Sequence, residues 1–290
     1  MPSALKSFLL AAIICLSARA ETSPEEVGRF NQLLESAKKG DAWAQYSVGS
    51  RYSNGYGVKT DMEQAAFWFK KSGEQGNVVS QVNLGDLYSW GLGVPKDLKE
   101  AAFWYKKAAD QDHSSAIYNL ALLYNRGEGI EKDNTKATEL IRKAAEIGHD
   151  KAQCHLGARY FEGVGVPKDF ELAVEWYTKA ADQGNPTAQS NLGYCYASGK
   201  GVPVNHKKAF ELYRKAAEQG VTLAQFNLGS CYANGQGTPR DYVEAYAWLN
   251  LAGITDGDAK KALSALESQM PSEAIIQGQR RTRELQKTAK

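Results

Sequence analysis

The chain has 290 residues, 43% hydrophobic and 23% charged, with 35 Lys and Arg against 33 Asp and Glu. Lys6 and Arg19 lie in the first 20 residues, which hold no acidic residue, so 33 charges of each sign remain beyond them. That balance gives no electrostatic argument for nucleic acid or an anionic membrane, and the three cysteines beyond residue 20 exclude a disulfide framework.

Residues 1–20 combine a basic start at Lys6, an apolar run from Phe8 to Leu16 and Ala18-Arg19-Ala20 before Glu21, which predicts a secretory signal peptide. The mature chain is therefore expected in the periplasm or outside the cell, without membrane insertion. Cys15 follows Ile14, where a lipoprotein cleavage site needs a small residue, so no lipid anchor is expected. Residues 21–40 predict a cap helix, because Ser23-Pro24-Glu25-Glu26 is a capping box with proline at the first helical position.

From residue 41 to 256 one pattern recurs every 36 residues without insertion, in six units. Its origin is Gly49, Gly85, Ala121, Gly157, Gly193 and Gly229, and three residues on stand Tyr52, Tyr88, Tyr124, Tyr160, Tyr196 and Tyr232. Glycines recur six and eight past each origin, as Gly199 and Gly201 do in "NLGYCYASGKGVP". A Gly-x-Gly turn can cradle a phosphate, but a nucleotide loop occurs once per domain, and a pair in every unit is architecture.

Apolar and small residues at helical spacing flank this turn, so each unit is a helical hairpin of a helix A and a helix B. The core stripe of helix A takes the positions minus five, minus one, zero and plus three. Asp61, Asp97, Asp133, Asp169, Asn205 and Asp241 read as N-caps of helix B, with Gln64, Glu100 and Glu244 completing capping boxes. Ala65 and its five equivalents mark the closest helix contact, and Trp68, Trp104, Trp176 and Trp248 read as core between units. Helix B is expected to end at Gly76, Gly148, Gly184 and Gly220, with Asp112 and Asp256 in the other two units. In residues 257–290, the stretches 259–269 and 271–285 predict two capping helices. The cluster Arg280, Arg281, Arg283, Lys287 and Lys290 reads as a cationic helix end complementing its dipole.

These residues carry a likeness. "AQCHLGARYFEGVGVPKDFELAVEWYTKAADQG", Ala152 to Gly184, resembles the Sel-1-like repeats, relatives of the tetratricopeptide repeats, and the likeness covers about Asp41 to Asp256. The resemblance implies an all-α, right-handed α-solenoid of six hairpins with N- and C-terminal helical caps, working as a protein-interaction scaffold. Some cysteine-rich secreted relatives are associated with β-lactam binding or hydrolysis, so a cell-wall or β-lactam-active hydrolase is the alternative. Their hallmark is a cysteine pair within each repeat, which this chain lacks.

No catalytic set emerges. Ser36 and Lys39 match a Ser-x-x-Lys motif without its partner motifs, and His149, Cys154 and His155 lack a fourth ligand at zinc spacing. No cofactor, metal or enzymatic activity is expected. On helix A, positions minus three, plus one, plus four and plus five face away from the core stripe, on the side that is the concave wall in tetratricopeptide relatives. That wall would present Tyr46, Tyr118, Tyr194, Phe226, Phe161 and Trp90, with Asp86, Arg126 and Glu162. Beside it stand Asn83, Asn119, Asn191 and Asn227, which would either hold a bound peptide backbone or tie one helix A to its neighbour. The expectation is a monomeric, non-enzymatic scaffold that binds a protein or peptide segment, with no nucleic acid.

Overall fold

A computed structural model describes residues 23–288, and every element among them is an α-helix. The predicted signal peptide, residues 1–20, lies outside the described residues. The chain forms two compact units, one reaching to Ala144 and the other starting at Ala145. The first holds the helix Pro24–Lys38 and the A/B pairs Ala42–Asn54 with Met62–Glu74 and Val78–Trp90 with Leu98–Ala109, then Ser114–Arg126 and most of Asn134–Glu146. The second holds Asp150–Glu162 with Phe170–Asp182, Pro186–Ser198 with His206–Glu218 and Thr222–Asn234 with Tyr242–Ala252, followed by Gly257–Glu267 and Ser272–Thr288.

The origin glycine receives a ring. A Cβ on Gly85 would stand 2.6 Å from the Tyr105 ring, one on Gly157 2.7 Å from Tyr177, and one on Gly193 2.9 Å from Tyr213. Phe69 fills the same place over Gly49, and Leu249 over Gly229. These large residues all lie 20 past their origin, on helix B. Where the origin is Ala121, the residue 20 on is the smaller Ile141, and both are buried.

Each helix A ends in a left-handed glycine at plus six, with φ between 69° and 77° at Gly127 and Gly163 as the extremes. The amides at plus six and plus seven both donate to the carbonyl at plus two, as Gly91 and Leu92 do to Leu87. The amide at plus twelve donates to the tyrosine carbonyl at plus three, as Asp97 does to Tyr88 at 3.0 Å. The glycine at plus eight has positive φ as well and abuts the helix start 31 residues earlier: a Cβ on Gly93 would run into the Met62 carbonyl, and one on Gly201 into Phe170. Gly57 meets Glu26 in the same way, so the helix Pro24–Lys38 occupies the place of a helix B. The amides at plus six and plus seven are thus bonded to the chain's own carbonyl rather than turned to a ligand.

The N-caps form, with Asp61 accepting from the Gln64 amide and Asp241 from the Glu244 amide. The reciprocal half of the expected capping box does not, because the N-cap amide is already bound to the tyrosine carbonyl. Glu244 instead accepts from Trp248 Nε1 at 3.2 Å and from Arg281 Nε at 2.6 Å. Arg281 thus docks the last helix on the last repeat, a role beyond dipole compensation. Asp112, at φ 59°, fills the left-handed place that glycine holds elsewhere. Asp256 departs from expectation: helix Tyr242–Ala252 stops early, and Asp256 is the N-cap of Gly257–Glu267.

A row of glutamines on helix A is buried. Gln45, Gln81, Gln153 and Gln189, four before the origin, donate to helix-B carbonyls eight residues back, Gln81 to Gly73 at 2.9 Å. Each accepts from a glutamine 30 residues on, as Gln81 does from Gln111 at 2.9 Å. In the Ala121 repeat the place four before the origin is Ile117, which is buried and needs no acceptor.

Gly193→Ala is expected to cost about 1–3 kcal/mol by overpacking against Tyr213. Gly193→Ala with Tyr213→Ile, which copies the Ala121–Ile141 pair, should recover part of that loss in urea unfolding; additive losses would show that ring and glycine are independent.

Candidate functional site

At 100° per residue, plus one lies 100° around helix A from the origin, whereas minus three and plus four lie only about 60° and 40° from it. Exposure follows that geometry. Tyr194 at plus one and Trp90 at plus five are 44% and 43% exposed, and Tyr46, Phe161 and Phe226 are half-buried. Tyr118 is a correction: at minus three it is 7% exposed and belongs to the core, not to a projecting wall.

In the first unit the wall forms a cleft of about 500 Å³ between Ala42–Asn54 and Val78–Trp90. It brings together Tyr46, Asn83 and Trp90, three of the residues the sequence singles out, over a floor that includes Met62, Phe69 and Leu87. The Tyr46 and Phe69 rings are 6.1 Å apart. A second depression of about 400 Å³ shares Tyr46 and Ser50 and adds Trp43, 65% exposed, and Tyr56. Beside it Arg51 pairs with Glu26 at 2.8 Å.

Asp86 borders the larger cleft. Its Oδ1 accepts from the Tyr105 hydroxyl at 2.6 Å and from Asn119 Nδ2 at 3.4 Å. Burial raises the Asp86 pKa, more than the Tyr105 bond and the nearby His113 lower it, and the Tyr105 hydroxyl is pushed up by burial and then by the Asp86 charge. Asn119 therefore ties one helix A to the preceding repeat, and in the second unit Asn191 hydrogen-bonds the hydroxyl of Tyr177 in the same way. Asn83 faces the cleft; Asn227 is half-buried.

In the second unit Phe161 and Tyr194 come together, with ring centroids 6.0 Å apart, and Phe170 lies 5.0 Å from Phe161. Lys200 covers them: its Nζ donates to the Tyr194 hydroxyl at 3.0 Å and lies 5.1 Å above the Phe161 ring. Phe226 packs into the cluster formed with Tyr246, Leu249 and Leu266 at the C-terminal cap. Sequence reading missed Trp43 and Lys200, and gave Asp86 no role although plus one carries an acid in no other repeat.

The groups with latent chemistry are occupied. Burial pushes the Cys154 thiol up to about 12 and Cys195 and Cys231 to about 11, so these buried free thiols hold their protons and are poor nucleophiles. His149 is an N-cap whose Nδ1 accepts from the Ala152 amide at 3.2 Å. Among the described residues no three His, Cys, Asp or Glu are grouped to hold a metal, and no helix is long and apolar enough to cross a membrane.

The raised Asp86 pKa means that the folded chain holds this proton more tightly than the unfolded one. Its contribution to stability is present below the unfolded pKa and lost as pH rises through the folded pKa. Asp86→Asn, which keeps the acceptor for Tyr105, is expected to raise the urea midpoint at about pH 7 and to lose that advantage by about pH 4. A lower midpoint for the variant at neutral pH would show that the ionised carboxylate supports the fold.

A family model of the Sel1 repeat matches residues 44–77, 78–113, 114–149, 150–185, 186–221 and 222–253. The crystal structure of a protective antigen present in uropathogenic Escherichia coli strains, displaying an SLR fold, is 35% identical, with a TM-score of 0.85 over 91% of this chain and 57% of that one. A Sel1 repeat protein from Oxalobacter formigenes is also 35% identical, with a TM-score of 0.67 over 73% of this chain and 85% of that one. No curated protein matches the chain. The chain spans little more than half of the antigen's length. Six matched repeats in phase with the ring-on-glycine contacts make this chain a member of the Sel1-repeat family, α-solenoid proteins that generally serve as protein-interaction scaffolds.

Proposed function

We propose that this protein is an exported, non-enzymatic scaffold whose A-helix wall binds an extended peptide or a flexible protein segment. The observation that carries this reading is the first-unit cleft, where Tyr46, Asn83 and Trp90 converge with a second aromatic depression alongside. Exposed aromatic rings supply burial on binding, and an amide can donate to and accept from a peptide group at once. The folding core does not need the two tryptophans: Trp43 and Trp90 remain well exposed while the helix-B rings fill the interior.

Export is supported by the basic, apolar and small-residue pattern of residues 1–20. The similar antigen from uropathogenic Escherichia coli is described as protective, which agrees with an envelope or external location. The mature protein is proposed to be a monomer that binds neither nucleic acid nor a bilayer interior.

Affinity capture of partners by wild type and by Trp90→Ala is expected to differ, with a loss of about 2 kcal/mol or more if Trp90 is a binding hot spot. Helicity and melting should be unchanged, and equal capture would direct attention to another face. The N-terminus of the protein recovered outside the cytoplasm is expected at Glu21; a chain retained in the cytoplasm with its first residues intact would overturn export.

A further inference from the structure

We infer that the first-unit cleft receives a lysine side chain of the bound segment, its ammonium resting on Asp86 and its methylene stem on the apolar floor. This inference rests on the wall-binding reading above and names the chemistry it selects.

Asp86 is the one formally charged residue bordering this cleft. It pairs with no Lys or Arg among the described residues, and the charged or titratable groups near it are Tyr105 and His113. A half-buried carboxylate without a cation is costly to the fold, and a cation arriving from a partner would offset that cost at the moment of binding. Both hydrogen bonds to Asp86 end on Oδ1, leaving Oδ2 for an incoming donor. One open oxygen suits a compact ammonium, whereas guanidinium gains its advantage from gripping two.

The walls agree with that occupant. Tyr46 and Trp90 line the cleft with aromatic rings, which attract a cation, and Met62, Leu87 and Leu92 offer apolar surface to four methylenes. At plus one the other repeats carry Ser50, Leu122, Ala158, Tyr194 and Ser230, so no other repeat offers an acid there. The reading would give a scaffold with repeated architecture one position of side-chain selection.

The test pans a display library of random twelve-residue peptides on the full chain, then compares synthetic versions of enriched peptides with lysine changed to norleucine or to arginine. Enriched peptides are expected to share a lysine, to lose tenfold or more in affinity as norleucine and several-fold as arginine. Asp86→Asn should bind the lysine and norleucine forms equally. Norleucine peptides that bind wild type as tightly as lysine peptides, or an Asp86→Asn chain that keeps the preference, overturn the inference. If binding still falls with Trp90→Ala in that case, the wall reading stands; peptides indifferent to Trp90→Ala as well, or a library without binders, overturn both.

Discussion

The hairpin depends on one contact, a large helix-B side chain, an aromatic ring in four of the six repeats, laid on the Cα of the helix-A origin. With glycine there, no side chain separates the ring from the helix backbone, and helix B approaches until the Ala65 carbonyl would stand 3.3 Å from a Cβ on Gly49. Glycine inside a helix costs about 1 kcal/mol relative to alanine, which the burial of a tyrosine or phenylalanine ring offsets. In the Ala121 repeat a methyl gained on one helix goes with a smaller residue, Ile141, on the other, although Leu249 over Gly229 shows that the smaller residue also occurs without that methyl. Interiors packed to crystal density tolerate that exchange better than either change alone.

That contact fixes helix A against helix B, and the turn and the glutamines fix one repeat against the next. The turn closes on three amide bonds, to the carbonyls at plus two and plus three, so its length cannot vary without orphaning a buried donor. Its second glycine then seats on the first turn of the preceding helix B, where any Cβ would collide. A buried amide costs little when both its ends are bonded, and each glutamine of the inner row donates to a helix-end carbonyl while accepting from its partner.

The fold was legible because its determinants recur at fixed spacing. Six tyrosines and six glycine pairs in phase reveal hairpins, turns and N-caps without any knowledge of contacts. What spacing alone could not show is which partner a polar group meets. The glutamines at minus four recur with the same period as the tyrosines, yet a polar residue on a helix reads as solvated until its acceptor is known. The capping boxes failed for the same reason, because the tyrosine carbonyl had taken the N-cap amide. For the wall, the direction of a side chain was readable where the angle was large, as at Trp90 and Tyr194, and misleading near the stripe edge, as at Tyr118. Aromatic count alone also overstated the second unit, where Lys200 lies across Phe161 and Tyr194.

In a repeat protein the positions that obey the period are those that stacking requires, so a departure that stacking does not compensate has a different origin. Ala121 goes with the smaller Ile141, Asp112 takes the left-handed place of a glycine, and Ile117 fills in apolar form the buried place that other repeats give to a glutamine. Asp86 is not compensated in that sense: Tyr105 and Asn119 satisfy one oxygen, no cation among the described residues answers its charge, and burial holds its proton more tightly than an ordinary carboxylate. Perturbed ionisable groups in clefts mark functional sites more often than ordinary surface does, because a fold retains an unanswered charge at a cost to its own stability. In the proposed reading, the residue whose charge the stack leaves unanswered is the one through which a partner's cation would be selected.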